Sequence, residues 1–182
     1  TMTEGNETYE KTKEVLINVS GVRPNTVTGF TYEVTKDGTS LSKESVLGLT
    51  KTVTLNETGI YEVVVTVTDN HGHTNTLSKT YKIDQTVPSI TVPENTVIKI
   101  TEVTTYNVLE GVVVSDNVDQ TPTVETRGSL TATLGEQTIT YTVRDEAGNE
   151  TTVNRKFTVV EAEGPILNFS NAGSSVWTKA QT

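Results

Sequence analysis

The sequence predicts an all-β protein built as tandem β-sandwiches, and three observations carry that reading. Roughly a fifth of the chain is threonine and valine leads its apolar residues, whereas alanine, leucine and methionine are scarce. β-Branched side chains fit a pleated, half-buried surface and are mediocre in helices. Long runs alternate apolar and polar residues with a period of two, the pattern of a strand with one buried face. A stretch in the first half recurs in the second at a fixed offset, the mark of a repeated unit.

The repeat is gapless. Gly59-Ile60-Tyr61-Glu62-Val63-Val64-Val65-Thr66-Val67-Thr68-Asp69-Asn70-His71-Gly72-His73 aligns with Gly135-Glu136-Gln137-Thr138-Ile139-Thr140-Tyr141-Thr142-Val143-Arg144-Asp145-Glu146-Ala147-Gly148-Asn149, a shift of 145 − 69 = 76 residues. At the same shift Leu77 meets Val153, Lys79 meets Arg155, Tyr81 meets Phe157 and Ile83 meets Val159. Each first strand ends in Asp-x-x-Gly, where Asp accepts from backbone donors and Gly tolerates positive φ, as a type I turn followed by a bulge requires. Each copy therefore closes with a β-hairpin, the last two strands of a sandwich.

The remaining strands follow from shorter alternating runs. In the first unit they are expected near residues 15–19, 29–34, 52–55, 59–68 and 76–83, with Asp37-Gly38 marking a turn. In the second they are expected near 89–92, 97–101, 111–114, 124–126, 137–144 and 152–160. Linkers at 84–87 and 161–164 each end before a proline, and their shortness predicts a semi-rigid tandem rather than a floppy tether. The expected domains are 1–84, 88–162 and a truncated third unit at 165–182. In that last segment Ile166-Leu167-Asn168-Phe169 after Pro165 parallels Ser89-Ile90-Thr91-Val92 after Pro88. Its lone strand would be an edge open to pairing. Trp177 reads as a core residue deprived of its domain rather than as a ligand platform.

Composition sets the excluded classes. With 14 basic and 23 acidic residues the net charge is −9 and the pI about 4.7, so nucleic acid and anionic lipid are poor partners. No apolar run approaches the roughly 18 to 20 residues of a membrane helix, and no signal peptide is evident. The opening Thr1-Met2-Thr3-Glu4-Gly5 reads as an internal cut or a tag remnant. Cysteine is absent, which points away from a secreted animal sandwich and toward a bacterial surface protein or a cytosolic one.

Two motifs carry a resemblance. Gly111-Val112-Val113-Val114-Ser115-Asp116-Asn117-Val118-Asp119 and Tyr141-Thr142-Val143-Arg144-Asp145-Glu146-Ala147-Gly148-Asn149, behind a proline-led first strand, resemble the bacterial immunoglobulin-like surface repeats of the hyalin-repeat kind. The resemblance covers about residues 88–161. The first unit is similar only through Val67-Thr68-Asp69-Asn70-His71-Gly72; His73 stands where the family shows Asn, and the Asp-Asn-x-Asp motif is missing. The resemblance implies an extracellular place on a bacterial cell surface, in arrays acting as stalks, adhesive modules or spacers beside catalytic domains.

Catalytic chemistry finds little support. The only histidines, His71 and His73, sit two apart in a predicted hairpin turn, where a solvated turn is a simpler account than a shared metal. No phosphate loop or nucleophile elbow appears, so no enzyme activity and no organic cofactor are expected. Five Asn-x-Ser/Thr sequons, at Asn6, Asn18, Asn56, Asn149 and Asn168, match what so much threonine gives by chance. Lys13 and Asn75 are conceivable partners for an internal amide crosslink, although no spacing singles them out. The sharper candidate is calcium at the junction between units. The loops carrying Asp116, Asn117, Asp119 and Asp145 should lie at the end where the chain enters the second sandwich, close to Asp84, with Glu57 facing them from the first. Calcium takes six to eight hard oxygens and would stiffen such a junction. The alternative is that Asp116, Asp119 and Asp145 only accept backbone hydrogen bonds that shape their loops.

The expected function is a non-catalytic spacer or stalk segment of a multidomain surface protein. Its partners would be neighbouring repeats of the same chain. An adhesive module binding a cell-wall or host glycan or a host protein, or an accessory domain of a surface hydrolase, are the other roles. Loops rich in Thr, Ser, Asn and Asp rather than aromatics weigh against adhesion.

Overall fold

The computed structural model describes residues 1–21 and 26–164. Twelve strands run in chain order: β1 (Lys13–Asn18), β2 (Gly29–Lys36), β3 (Thr39–Leu47), β4 (Thr50–Leu55), β5 (Gly59–Thr68), β6 (Thr74–Ile83), β7 (Ser89–Thr91), β8 (Thr96–Lys99), β9 (Val113–Ser115), β10 (Thr123–Arg127), β11 (Gly135–Arg144) and β12 (Glu150–Val160). No helix occurs among the described residues, and none long and apolar enough to cross a membrane. The all-β expectation holds.

The strands form two pairs of sheets. β1 pairs with β4, facing a four-stranded sheet ordered β3-β2-β5-β6; β7 pairs with β9, beside a four-stranded sheet ordered β10-β11-β12-β8. Period-two alternation decides which side chains face inward. Val15 and Ile17 of β1 and Leu55 of β4 meet Phe30, Tyr32 and Val34 of β2, Tyr61, Val63 and Val65 of β5, and Tyr81 and Ile83 of β6 in one core. A second core gathers Ile98 of β8, Val103, Ile139 and Tyr141 of β11, and Phe157 and Val159 of β12, sharing no residue with the first. Two cores filled from facing sheets are the layering of immunoglobulin-like sandwiches.

The second core has 6 buried apolar residues against 13 in the first, and half-buried side chains such as Ile90, Val112 and Val124 make up more of it. Arg155, 2% exposed, adds a polar anchor. Its Nη1 donates to the carbonyls of Val108 (3.0 Å) and Glu110 (2.9 Å), its Nη2 to Thr96 Oγ1 (2.9 Å) and Tyr106 OH (3.4 Å), and the guanidinium lies 4.6 Å from the Phe157 ring centre. One cation thereby fixes the turn-rich stretch between β8 and β9. Tyr141 adds a bond from its hydroxyl to the same Val108 carbonyl at 2.6 Å.

Three local differences from expectation have physical causes. β3 was not expected: of its residues Thr-Ser-Leu-Ser-Lys-Glu-Ser-Val-Leu only Ser42 and Val46 are partly buried, so it carries no alternating face, and pairing with β2 across the Asp37-Gly38 turn makes it a strand. Both turn residues have positive φ, 50° and 79°, as a two-residue type I′ hairpin needs. The run expected to reach residue 101 stops at Lys99, where turns begin, and Gly111 takes φ 73° in a turn instead of opening β9. The expected third-unit strand at 166–169 and Trp177 lie outside the described residues.

Candidate metal centre

The two terminal hairpins share one geometry, and the second of them builds one corner of the site. Between β11 and β12, Gly148 N donates to the Asp145 carbonyl (3.2 Å) and Asp145 N to that of Asn149 (3.1 Å), with Gly148 at φ 86°. Asp145 Oδ1 accepts from Asn149 N (2.7 Å) and Oδ2 from Asn149 Nδ2 (2.8 Å), holding a 5% exposed carboxylate inside the turn. The first hairpin repeats the geometry: Asp69 Oδ1 accepts from His71 N (2.8 Å) and His73 N (2.9 Å). There His73 Nδ1 takes the place of the Asn149 amide, 2.9 Å from Asp69 Oδ2, and this bond above all pulls the Asp69 carboxyl down to about 2. The His71 and His73 rings stack at 6.2 Å in an exposed turn.

Two more carboxylates arrive from different parts of the chain. Asp116 follows β9 and turns its loop by accepting Val118 N (2.9 Å) and Asp119 N (2.8 Å) on Oδ1, while its Oδ2 is buried without a hydrogen-bond partner. Asp84 follows β6, 1% exposed. Its N donates to the Glu10 carbonyl (2.9 Å), and its Oδ1 accepts from Thr58 Oγ1 (3.2 Å) and Thr86 N (2.9 Å). Its own carbonyl receives Asn149 Nδ2 at 3.0 Å, a buried bond between the connector and the second hairpin.

Asp84, Asp116 and Asp145 each present an oxygen within 4.8 Å of the others. Burying carboxylates is costly unless charge or hydrogen bonds compensate. None of the ion pairs among the described residues involves any of the three.

Of the six residues proposed from sequence, these three come together. Asp119, which accepts Thr121 N (2.8 Å) on Oδ1, and Glu57, paired with Lys36 at 2.9 Å, stand outside this group, and Asn117 is exposed. Sequence reasoning passed over Asn149, whose amide ties Asp145 to Asp84. Its place directly after Asp-x-x-Gly, matched by His73 in the first hairpin, was the available signal. Lys13 is engaged by Glu10 at 2.7 Å. A separate cleft of about 360 Å³ is lined by Val19, Val27, Val65, Leu77 and His73 among others.

Cysteine-free sandwiches closed by matching Asp-x-x-Gly hairpins define the class: tandem immunoglobulin-like modules. Residues 90–159 match the sequence model of a family described as "Bacterial surface protein, Ig-like domain". No curated protein matches the chain. Among solved structures the chain is similar to the fibronectin(III)-like modules of CbhA from Clostridium thermocellum, with 17% identity, 93% of this chain and 99% of that one covered, and a TM-score of 0.38. It is similar to a structure from a 1.5-MDa bacterial ice-binding adhesin, with 16% identity, coverage of 83% and 58%, and a TM-score of 0.39. A third is a structure of the M60 catalytic domain with two CBM51 domains of ZmpB from Clostridium perfringens, with 15% identity, coverage of 84% and 19%, and a TM-score of 0.36.

Proposed function

We propose that the chain is a non-catalytic spacer segment of a multidomain bacterial surface protein, displayed outside the cell. In this reading residues 1–84 and 88–162 are separately packed units, and 165–182 open a third. The supporting observation is the way the connector is held. Asp84 N bonds back to Glu10 and Gln85 N to Thr58 Oγ1 (2.9 Å), on the side of the first unit. The Asp84 carbonyl is held by Asn149 and the Pro88 carbonyl by Thr151 Oγ1, on the side of the second. A connector with its polar groups tied at both ends transmits orientation, which a spacer needs and a tethered binding module does not.

Small-angle scattering of the full chain tests this: one fixed arrangement of the two units is expected to fit the profile. A profile that fits only a broad ensemble of inter-unit angles would overturn the proposal. A screen against glycans and matrix proteins is expected to be blank, and saturable micromolar binding would favour the adhesive role instead.

A further inference from the structure

We propose that Asp84, Asp116 and Asp145 form a calcium site that clamps the connector to the second unit. Spacing is the first argument. Two oxygens on opposite sides of one calcium ion, each at 2.3–2.6 Å, stand up to about 5 Å apart, and the three carboxylates present oxygens within 4.8 Å of one another.

Unpartnered oxygens are the second, independent argument. Asp84 is 1% exposed, and both hydrogen bonds to its carboxylate fall on Oδ1. Among the described residues nothing donates to its Oδ2. Asp116 Oδ2 is itself buried and has no hydrogen-bond partner. Loop shaping accounts for Asp116 Oδ1 and for Asp145, whose oxygens accept Asn149. It does not explain why a third carboxylate, from the connector, is buried against those two with a free oxygen. A carboxylate has about four lone-pair sites, so the Asn149 bonds leave Asp145 able to ligate.

Charge completes the case. Among the described residues no Lys, Arg or His forms an ion pair with any of the three carboxylates. A divalent cation with hard-oxygen preference supplies the missing positive charge, with water filling its remaining positions. Asp84 is anchored to the first unit through Glu10 and Thr58, so the ion would couple both units. This mechanical consequence rests on the spacer reading, whereas the binding itself does not.

The test is calorimetric titration of the chelator-stripped full chain with calcium chloride, paired with thermal melts in 5 mM calcium or chelator. One calcium per chain is expected, in the 0.1–1 mM range of extracellular sites. Saturation by 5 mM calcium then raises the folded-to-unfolded ratio about 6- to 50-fold. Asp116→Asn is expected to fold without calcium, because it relieves repulsion, and to lose the calcium-dependent rise in melting temperature. Glu57→Gln, outside the group, should keep it. Absence of both heat and melting shift in the unaltered chain at 5 mM calcium overturns the site, whatever the variants do. So does a calcium response that survives in Asp116→Asn. Scattering separates the two proposals: a rigid chain that binds no calcium ends only this inference. Calcium binding to a chain that stays flexible ends the spacer reading and the clamp, and leaves the ion site.

Discussion

Replacing Arg155 by methionine keeps most of the aliphatic stem and removes the guanidinium. The structure sets the size of the effect. Three bonds of 2.9–3.0 Å, to Val108 O, Glu110 O and Thr96 Oγ1, are lost. Each charge-assisted bond is worth about 1.5–3 kcal/mol, but burying the guanidinium itself costs several kcal/mol, so the gross sum overstates the loss. Val108 O keeps the Tyr141 hydroxyl, whereas Glu110 O loses its donor. Balancing these, Arg155→Met should destabilise the second unit by about 1–3 kcal/mol, chiefly for the Glu110 carbonyl left without a donor. Urea unfolding followed by far-ultraviolet circular dichroism reads this directly. With a slope of about 1 kcal/mol per molar urea, the transition of the second unit should move down by about 1–3 M. The transition of the first unit should stay in place. A midpoint change below about 0.5 M, or equal movement of both transitions, would refute the assignment of Arg155 as the organiser of a separately folding unit.

Three smaller effects follow from single residues. Gly38→Ala places a Cβ at φ 79° in open space, so its cost is backbone strain alone, about 1–2 kcal/mol by thermal melt. Asp69 falls from its usual 3.8 to about 2 on folding, chiefly through the His73 bond. The stability it contributes is present above pH 3.8 and disappears as pH falls through about 2, so Asp69→Asn should flatten that limb of an acid titration. Burial raises the Tyr81 hydroxyl from 10.0 to about 12, with Glu4 adding to the effect. Its contribution is intact below pH 10 and lost as pH climbs toward 12, and Tyr81→Phe should remove that alkaline loss in a circular dichroism titration.

The terminal hairpins were legible because alternation, Asp-x-x-Gly and a gapless repeat all state the same geometry. β3 was not, since most of its residues face solvent and its pairing comes from β2 rather than from its own pattern. The carboxylates at 84, 116 and 145 could be placed together because chain entry and two loops share one end of a sandwich. Distances and the free oxygens required coordinates. Asn117 is exposed, and Glu57 stands apart for a local reason: it had a lysine closer at hand. Arg155 illustrates a missed signal. It lies in phase with Phe157 and Val159 on the inward face of β12, so period two alone marked it as buried despite its charge.

The parallel pairing of β8 with β12 joins an early strand of its unit to the last one, with Thr96 opposite Phe157 and Lys99 opposite Val160. The first unit has a shorter counterpart in the parallel bridge between Glu10 and Ile83. Tension entering at one end of the chain and leaving at the other pulls such neighbours lengthwise in opposite directions. Their hydrogen bonds are then loaded side by side and must fail together, rather than unzip one after another. Resistance to stretch is thus written into strand direction, the property a filament tugged by flowing fluid would draw on.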